Sequence, residues 1–358
     1  MNFVDLRPYL YQFLGDVQFH SEAIVDGHIH DGWYIESNHP KYPKTILQKI
    51  NTHVFPDPAG LIENIHHITH YLRQNNPSQK QLELVQTISG QSSYTAPDGS
   101  VWRMYEWIEN GYTTQISRNL KQVREAGFIT GEFLRLLKNY PVHSLKIPIA
   151  DFHNTPKRYQ DFLQSLTIAD PALLAEIRSE IDFLRKRANK FSLIWDALKE
   201  ERIPWRVTHN DTKLDNILFD QDTHQAICLI DLDTIMPGSA LFDFGDALRA
   251  MGNPVAEDES DLTKVEFQLP VFKAYTQGYL SAAGEILTLQ EKSWLAFSPW
   301  LITIEIGIRF LTDYLQNNHY FRIHYPEQNL NRCRAQFKLA TDMENRFSEM
   351  EDIVKQYQ

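Results

Sequence analysis

The sequence predicts an α+β fold of two lobes, a small β-rich lobe followed by a larger, mostly helical lobe. Residues compatible with β-strands dominate the first third of the chain, and helical patterns dominate from about residue 111 onward. The composition is that of a globular protein, with 42% hydrophobic and 23% charged residues. We place the boundary after Ile108, which predicts domains of residues 1–108 and 109–358.

The first lobe is predicted to contain two pairs of strands with a helix between the pairs. Asp57 followed by Pro58 is typical of a helix start, and apolar residues then recur at helical spacing as far as Leu72. Turn-forming residues separate the strands of each pair, including Pro97-Asp98-Gly99 in the second pair. The predicted strands are, in order, residues 27–37, 45–51, 82–89 and 101–108. These elements predict a small sheet that carries one helix.

One β-hairpin is predicted within the second lobe. The strand-compatible residues 217–219 and 226–230 are separated by the turn-forming residues 220–224. Asn216 precedes the first strand and Asp231 follows the second. Since antiparallel pairing returns both ends of a hairpin to the same place, we expect these two side chains to lie close together.

The segment THNDTKLDNILFD, residues 208–220, contains the motif that carries chemistry. His209, Asp211 and Asn216 have the spacing H-x-D-x-x-x-x-N of a kinase catalytic loop. Asp211 is predicted to be the catalytic carboxylate that orients an attacking hydroxyl and accepts its proton. Lys213 is predicted to reach the transferred phosphate and to offset the charge that develops on it. We interpret His209 as a packing and hydrogen-bonding residue. The motif predicts a protein-kinase-like fold with ATP between the lobes.

The metal-binding residues are predicted from the ends of the hairpin. An amide oxygen from Asn216 and a carboxylate from Asp231 are ligands that Mg²⁺ prefers. Asp233 is either a second ligand or a polar neighbour, and the sequence favours neither interpretation. Asp243-Phe244-Gly245 spells the DFG motif of protein kinases but lies beyond the hairpin. We therefore interpret Asp243 as a helix-start residue that anchors the backbone of the catalytic loop.

The residues predicted to contact ATP lie in the first lobe. Gly27 belongs to a phosphate-covering loop that is sparse in glycine, and the connector from Glu106 to Ile108 is predicted to contact adenine through its backbone. Gln48 occupies the place where kinases usually have a phosphate-binding lysine, and Lys49 is adjacent to it. Because successive strand residues point to opposite faces, only one of these two can take that role. The sequence leaves open which one does so.

Several long motifs make the chain resemble the aminoglycoside and choline kinase-like phosphotransferases, and within them the N-acetylhexosamine 1-kinases. The resemblance covers nearly the whole chain. The motifs are DGHI (26–29), FHNTPKRYQDF (152–162), VTHNDTKLDNIL (207–218), IDLDTIMPGS (230–239), LFDFGD (241–246) and RFLTDYL (309–315). The resemblance implies transfer of the γ-phosphate of ATP to the anomeric hydroxyl of N-acetylglucosamine or N-acetylgalactosamine, with Mg²⁺.

The resemblance also implies that His28 and Arg309 contact the sugar, and that Asp211 acts on its hydroxyl. Taken alone, His28 beside Gly27 is also consistent with a simple turn residue. Glu305 and Arg309 have the i, i+4 spacing of a helical ion pair, so Glu305 is predicted to support Arg309 in the substrate site. Two rival functions remain open. One is phosphorylation of another sugar, homoserine, an amino alcohol or an aminoglycoside, and the other is a nucleotide-binding pseudokinase.

The bulk composition restricts the partners and the compartment. A formal net charge of −11 argues against nucleic acid or an anionic membrane as the main partner, because both bind clustered Lys and Arg. Cys228 and Cys333 are too few for a disulfide-stapled domain or a cysteine zinc site. The N-terminal sequence MNFVDLRPYL lacks an apolar signal region. We therefore expect a cytoplasmic protein, and the sequence leaves its oligomeric state open.

Overall fold

A computed structural model describes residues 4–24, 29–115 and 119–357. The chain divides into two compact units. The first unit comprises Met1–Tyr112, Pro141–Ala150 and Leu218–Met236, and the second comprises Thr113–Tyr140, Asp151–Ile217 and Pro237–Gln358. The division is therefore not a single cut of the chain. Residues 109–112 and two later segments also belong to the first unit, and one of those segments contains most of the predicted hairpin.

The described residues contain the following regular elements, numbered in chain order. The strands are β1 (Phe19–Ile24), β2 (Asp31–Ser37), β3 (Lys44–Lys49), β4 (Tyr94–Thr95), β5 (Val101–Glu106), β6 (Gly111–Tyr112), β7 (Arg206–Thr208), β8 (Ile217–Asp220), β9 (Ala226–Leu229) and β10 (Met236–Gly238). The helices are α1 (Arg7–Leu14), α2 (Pro58–Asn75), α3 (Leu120–Leu136), α4 (Thr155–Ile168), α5 (Pro171–Glu176), α6 (Arg178–Arg185), α7 (Leu193–Lys199), α8 (Ala240–Met251), α9 (Leu269–Ala283), α10 (Leu289–Trp294), α11 (Ser298–Leu315), α12 (Gln328–Asn345) and α13 (Phe347–Tyr357).

An antiparallel sheet with the strand order β1-β2-β3-β5-β4 forms the centre of the first unit. Leu47 and Met104 of its inner strands are fully buried, and α1 packs Leu10 into the same core. Trp102 stacks on Tyr9 of α1 with the ring centroids 3.8 Å apart. Neither α1 nor β1 was predicted from the sequence, although α1 supplies part of the core on which the sheet rests.

The predicted helix after β3 is confirmed as α2. Asp57 caps it, since its Oδ1 accepts a hydrogen bond of 2.9 Å from the backbone N–H of Gly60, and Pro58 occupies the first turn. The predicted strand at residues 82–89 is wrong, because only Leu84 forms a β-bridge, to Tyr105. The edge of β5 is shared, with β4 paired to its beginning and Leu84 bridged near its end. That edge therefore cannot pair with an eight-residue strand.

The predicted hairpin is confirmed as β8 and β9, which are neighbours in a sheet of order β6-β8-β9. The turn between them is stabilised by Asp220, whose Oδ1 accepts hydrogen bonds from the backbone N–H and the hydroxyl of Thr223, each 2.9 Å long. Asp231 follows the hairpin and begins a short 3-10 turn, Leu232–Thr234.

Helices make up most of the second unit. The pair α3 and α9 approaches closely because glycines face the partner helix: a Cβ on Gly127 would lie 2.2 Å from the carbonyl oxygen of Tyr275. Apolar α11 is buried against α4, α8 and α12. In the part of the chain that the structure describes, no helix has both the length and the apolar character needed to span a membrane.

Candidate active site

The backbone of the catalytic loop is held by the first turn of α8. The carboxylate of Asp243 accepts hydrogen bonds from the backbone N–H groups of His209, at 2.9 Å, and Asn210, at 2.7 Å. The prediction that Asp243 is a helix-start residue anchoring this loop is therefore confirmed. Burial raises the pKa of Asp243, against the opposing effects of His209 and of these N–H groups.

A second carboxylate, one turn further along α8, holds the other side of the loop. Asp246 Oδ2 accepts a hydrogen bond of 2.9 Å from the backbone N–H of Thr212, and the hydroxyl of Thr212 donates to the carbonyl oxygen of Asp243 at 2.6 Å. Arg249 pairs with Asp246 Oδ1 at 3.0 Å. Asp211 therefore lies between two residues whose backbones are fixed. Asp246 was not predicted from the sequence, although the spacing of Asp243 and Asp246 places them on one helical face.

Asp211, Lys213 and Asn216 are brought together as the motif predicts. The side-chain amide of Asn216 donates to both the carbonyl oxygen and Oδ2 of Asp211, each at 2.8 Å. Lys213 Nζ lies 3.3 Å from the same Oδ2. Burial opposes the charge on Asp211, but Lys213, His209 and the amide of Asn216 together lower its pKa. Asp211 is therefore a fixed, ionised carboxylate, and one quarter of its side chain remains exposed.

His153 links the catalytic loop to α11. Its Nε2 lies 3.1 Å from the carbonyl oxygen of Asn210, and its Nδ1 lies 2.9 Å from Oε1 of Glu305. Both partners are acceptors, so both ring nitrogens carry a proton and the imidazole is cationic. Burial opposes this charge, but Glu305 raises the pKa of His153, and His153 in turn lowers the pKa of the buried Glu305. Thr155 donates to the other oxygen, Oε2, of Glu305 at 2.6 Å.

The predicted ion pair between Glu305 and Arg309 is wrong. Glu305 lies on the buried side of α11 and is occupied by His153 and Thr155. The guanidinium of Arg309 lies instead among aromatic rings, with its central carbon 5.4–5.7 Å from three ring centroids. These rings belong to Phe152, Tyr320 and Phe321. Helical spacing predicts which residues are near, but residues from other elements determine which of them pair.

Arg158 on α4 is a polar residue of this region that the sequence analysis missed. Its guanidinium donates one long hydrogen bond, 3.4 Å, to the carbonyl oxygen of Phe152, and its buried Nε has no hydrogen-bond partner among the described residues. Burial lowers the pKa of Arg158, and the neighbouring charge of Arg309 lowers it further. Two guanidinium groups thus lie near one another, and neither forms an ion pair in the described ranges.

Asp231 supplies a carboxylate, a ligand type that Mg²⁺ prefers, immediately before a short 3-10 turn. Its backbone is left-handed, with φ 58° and ψ 56°, a conformation that aspartate adopts more readily than most residues other than glycine. Asn216 also fits, because its amide nitrogen is directed at Asp211 and its oxygen consequently faces away. Asp233, by contrast, is buried in an ion pair with Arg103 and His30, which agrees with the second of the two interpretations left open, that of a polar neighbour.

The residues that the sequence predicts to contact ATP are partly occupied by contacts within the protein. Gln48 Oε1 accepts a hydrogen bond of 2.9 Å from Nε of Arg103. Glu106 ends β5, and its backbone N–H donates to the carbonyl oxygen of Glu83 at 2.9 Å, so that group is used within the sheet edge. Burial, followed by the charge of Glu83, raises the pKa of Glu106. Ile108 follows this strand. Gly27 and His28 lie outside the described residues.

The fold and the site define a kinase-like phosphotransferase, in which a fixed aspartate is followed by a lysine and an asparagine. The chain belongs to the phosphotransferase enzyme family, whose model matches residues 20–283. The predicted fold class is confirmed by solved structures. An aminoglycoside phosphotransferase from Alicyclobacillus acidocaldarius superposes with a TM-score of 0.64 at 15% identity, covering 99% of this chain and 98% of that one.

Two further structures have the same fold. A microcompartment-associated aminopropanol kinase superposes with a TM-score of 0.58 at 16% identity, covering 96% of each chain. Amicoumacin kinase, in complex with AMP-PNP, Ca²⁺ and its ligand, superposes with a TM-score of 0.58 at 14% identity, covering 98% of this chain and 92% of that one. At these identities the similarity shows a kinase-like fold, with a small antiparallel sheet in the N-terminal lobe and a larger helical C-terminal lobe.

Proposed function

We propose that this phosphotransferase moves the γ-phosphoryl group of ATP to the anomeric hydroxyl of N-acetylglucosamine or N-acetylgalactosamine, giving the sugar 1-phosphate. The observation that carries the proposal is the ionised carboxylate of Asp211, oriented by two hydrogen bonds from Asn216. Such a carboxylate can align a hydroxyl for in-line attack and accept its proton as the new bond forms.

Lys213 supports the transfer. Its ammonium group is held 3.3 Å from Asp211 and one third of its side chain is exposed, so it can also contact a phosphate oxygen. A fixed positive charge next to the transferred group stabilises the negative charge of the transition state. Lys213 thereby serves two purposes, since its charge also lowers the pKa of Asp211.

Asn216 and Asp231 are proposed as the protein ligands of a magnesium ion. Both offer oxygen donors, and the orientation of the Asn216 amide leaves its oxygen directed away from Asp211. A divalent cation bound by these groups would neutralise part of the charge of the ATP phosphates. The presence of Ca²⁺ with AMP-PNP in amicoumacin kinase supports a divalent cation in this fold.

The acceptor assignment is supported by the surroundings of Arg309. α11 carries Glu305, which is joined through His153 to the residue before Asp211, and one turn later it carries Arg309. The guanidinium groups of Arg309 and Arg158 can donate hydrogen bonds to hydroxyl and acetamido oxygens, and the nearby aromatic rings suit the apolar face of a sugar. His28 is proposed as a further sugar contact.

The same two arginines distinguish between classes of acceptor. An amino alcohol or an aminoglycoside is cationic at neutral pH, so the two neighbouring guanidinium groups disfavour it, and the carboxylates of Asp211 and Glu305 partly offset that repulsion. A neutral sugar is not repelled and supplies only hydrogen-bond acceptors and donors. The two arginines therefore favour the sugar over the cationic acceptors named for several proteins of the same fold.

A substrate panel tests the proposal. The purified protein is incubated with ATP, Mg²⁺ and one acceptor at a time, and ADP release is measured. The acceptors are N-acetylglucosamine, N-acetylgalactosamine, glucose, homoserine, ethanolamine, 1-amino-2-propanol and an aminoglycoside. We expect turnover with the N-acetylhexosamines, and ³¹P NMR of the product should show an anomeric phosphate. Preferential turnover of another acceptor would contradict the sugar assignment, and ATP binding without turnover of any acceptor would favour the pseudokinase.

For the nucleotide, we propose that Gly27 contacts the phosphates and that the backbone from Glu106 to Ile108 contacts adenine. Because the N–H of Glu106 already donates to Glu83, adenine recognition falls to the other backbone groups of this connector. The side-chain oxygen of Gln48, the other residue predicted to contact the nucleotide, accepts a hydrogen bond from Arg103.

A further inference from the structure

The position at which kinases usually carry a phosphate-binding lysine takes part in a buried polar cluster of the first unit. Gln48 on β3 lies directly opposite Arg103 on β5 in the sheet register and accepts the hydrogen bond from its Nε. The two remaining nitrogens of Arg103 each donate a hydrogen bond to one carboxylate oxygen of Asp233, and the bond from Nη2 to Oδ2 is 2.9 Å long. The side chains of Arg103 and Asp233 are only 1% and 3% exposed, so this bidentate pair is almost free of solvent screening.

His30 completes the cluster. Its Nδ1 accepts a hydrogen bond of 2.9 Å from the backbone N–H of Asn51, so its proton resides on Nε2. That Nε2–H donates to Oδ2 of Asp233. Asp233 is therefore held by a guanidinium fork and by an imidazole, and these come from β5 and from the residue before β2.

The segment that contains Asp233 is also held at its far end. The side-chain amide of Asn64 on α2 donates to the carbonyl oxygen of Ile235 at 3.0 Å and to that of Lys146 at 3.0 Å. Asn64 Oδ1 accepts in return from the backbone N–H of Lys146 at 2.9 Å. The segment from Asp231 to Ile235 is thus fixed by the sheet through Arg103 and by α2 through Asn64, while Asp231 itself has a left-handed backbone.

We propose that Arg103 is a positioning residue for metal binding: by gripping Asp233, it orients the backbone that presents Asp231. The inference rests on the proposed role of Asp231 as a metal ligand. In kinases generally, an ion pair between a strand lysine and a helix glutamate must form before the site is active. Here the strand carries Gln48, and Glu63 on α2 lies 3.9 Å from Lys146. In this protein the ion pair that orders the site instead joins Arg103 on β5 to Asp233 in the turn that follows Asp231. The hydrogen bond from Arg103 to Gln48 keeps the guanidinium plane directed at Asp233.

Metal affinity tests this role without relying on turnover. Mn²⁺ is titrated into the full-length protein in the presence of a non-hydrolysable ATP analogue, and the concentration of free Mn²⁺ is measured by electron paramagnetic resonance. Arg103→Lys keeps a positive charge but loses the bidentate fork. We expect its Kd for Mn²⁺ to rise about 10–100-fold, the usual effect of removing a residue that orients a metal ligand. Affinity for the acceptor, measured by calorimetry, should be unchanged.

A matched control is Arg187→Lys. Arg187 also forms a bidentate pair, with both bonds to Glu344 2.7 Å long, but in the second unit and with about one fifth of each side chain exposed. We expect this variant to lose some thermal stability and to retain wild-type Mn²⁺ affinity. Equal losses of Mn²⁺ affinity in both lysine variants would overturn the proposal, because they would indicate a general effect of destabilisation.

A second variant covers the case in which Arg103→Lys does not fold. Arg103→Met combined with Asp233→Leu replaces the buried ion pair by apolar groups, an exchange that proteins often tolerate. The proposal expects this double variant to fold and to bind Mn²⁺ weakly. A folded double variant, or a folded Arg103→Lys, with wild-type Mn²⁺ affinity would show that the cluster is only structural. Asp231→Ala separates failure of the proposed function from failure of the proposed role of Arg103. If this variant retains wild-type Mn²⁺ affinity, Asp231 is not the metal ligand, and Arg103 then has no metal ligand to position.

Discussion

The ring of His153 donates a hydrogen bond of 3.1 Å to the carbonyl oxygen of Asn210, the residue immediately before the proposed base. The opposite side of the ring is paired with Glu305 on α11, the helix that also carries Arg309. The catalytic loop and the proposed acceptor site are therefore connected through one cationic imidazole. The first consequence concerns stability as a function of pH.

His153→Gln should reduce stability most in mildly acidic solution. Glu305 has a lowered folded pKa, so its contribution is present above about pH 4.3, its unfolded value, and is lost as the pH falls. His153 has a raised folded pKa, so its contribution is fully present below about pH 6.5 and is lost as the pH rises through the folded value. The difference in free energy of unfolding between wild type and variant should therefore peak between about pH 4.3 and 6.5.

Urea unfolding at a series of pH values measures this difference. Arg187→Lys is a suitable control, because its ion pair contains no histidine and should show no decline above pH 6.5. A difference that grows as the pH rises from 6.5 to 9 would contradict the assignment of a cationic ring.

Asp211→Asn should leave the binding of ATP and acceptor within a few-fold of wild type but lower kcat at least about 100-fold, the usual scale of acid–base catalysis. Asparagine retains the shape of the side chain but cannot accept the proton. Steady-state kinetics with calorimetric binding of each substrate separate the two effects. Asp215→Asn, four residues further along the same loop, is the matched control. Near-normal turnover by Asp211→Asn would remove Asp211 from the mechanism.

The local parts of this site were predictable from the sequence. The spacing of Asp211 and Asn216 lies within one loop, so the motif and the structure agree on their proximity. The start of α2 at Asp57 and the hairpin were predictable for the same reason, because capping and turn residues act locally. Asp243 was predicted to anchor the catalytic loop, but its partners, the backbone N–H groups of His209 and Asn210, are 34 and 33 residues away and no local pattern indicates them.

Pairings between distant elements were not predictable from local patterns. His153 and Glu305 are 152 residues apart, and no helical spacing indicates their contact. Gln48 and Arg103 meet because β3 and β5 are neighbours in a particular register, which is a property of the whole sheet. The strand predicted at residues 82–89 was wrong for a similar reason, since its hydrophobic pattern does not reveal that β4 occupies part of the same edge.

Asp231→Ala and Asp243→Ala should have different effects. Asp231→Ala should weaken the binding of metal and ATP together and nearly abolish turnover while the fold is kept. Asp243→Ala should instead reduce stability, because the buried N–H groups of His209 and Asn210 lose their acceptor at a cost of about 1–3 kcal/mol each. Thermal melts and Mn²⁺ titrations of both variants test this difference. Loss of metal affinity in Asp243→Ala, with normal affinity in Asp231→Ala, would exchange the two roles.

Arg309→Lys should raise KM for the acceptor and leave KM for ATP nearly unchanged. Lysine cannot reproduce the planar fork of donors, and losing one buried charged hydrogen bond costs about 1.5–3 kcal/mol, or roughly ten- to a hundredfold. Arg158→Lys should act in the same direction. Arg346→Lys, an arginine whose partner is Asp342 on α12, controls for nonspecific effects. An unchanged acceptor KM in Arg309→Lys would limit Arg309 to packing against its aromatic neighbours.

Gln48→Lys distinguishes the two interpretations of the strand position. If Gln48 merely replaces the phosphate-binding lysine, restoring lysine should lower KM for ATP. The contacts predict the opposite, because Gln48 Oε1 accepts from Arg103 at 2.9 Å and a lysine would bring a second cation against that buried guanidinium. The repulsion should tilt the guanidinium group of Arg103 away from Asp233 and so disturb the backbone that presents Asp231. We therefore expect KM for ATP to rise at least about tenfold. Gln48→Met removes the acceptor without adding charge and should have a smaller effect in the same direction.

Lys49→Ala, on the opposite face of β3, should change KM for ATP little unless Lys49 contacts phosphate. All three variants are compared with wild type by steady-state kinetics with ATP varied and by thermal melts. A lower KM for ATP in Gln48→Lys would show that this position contacts phosphate.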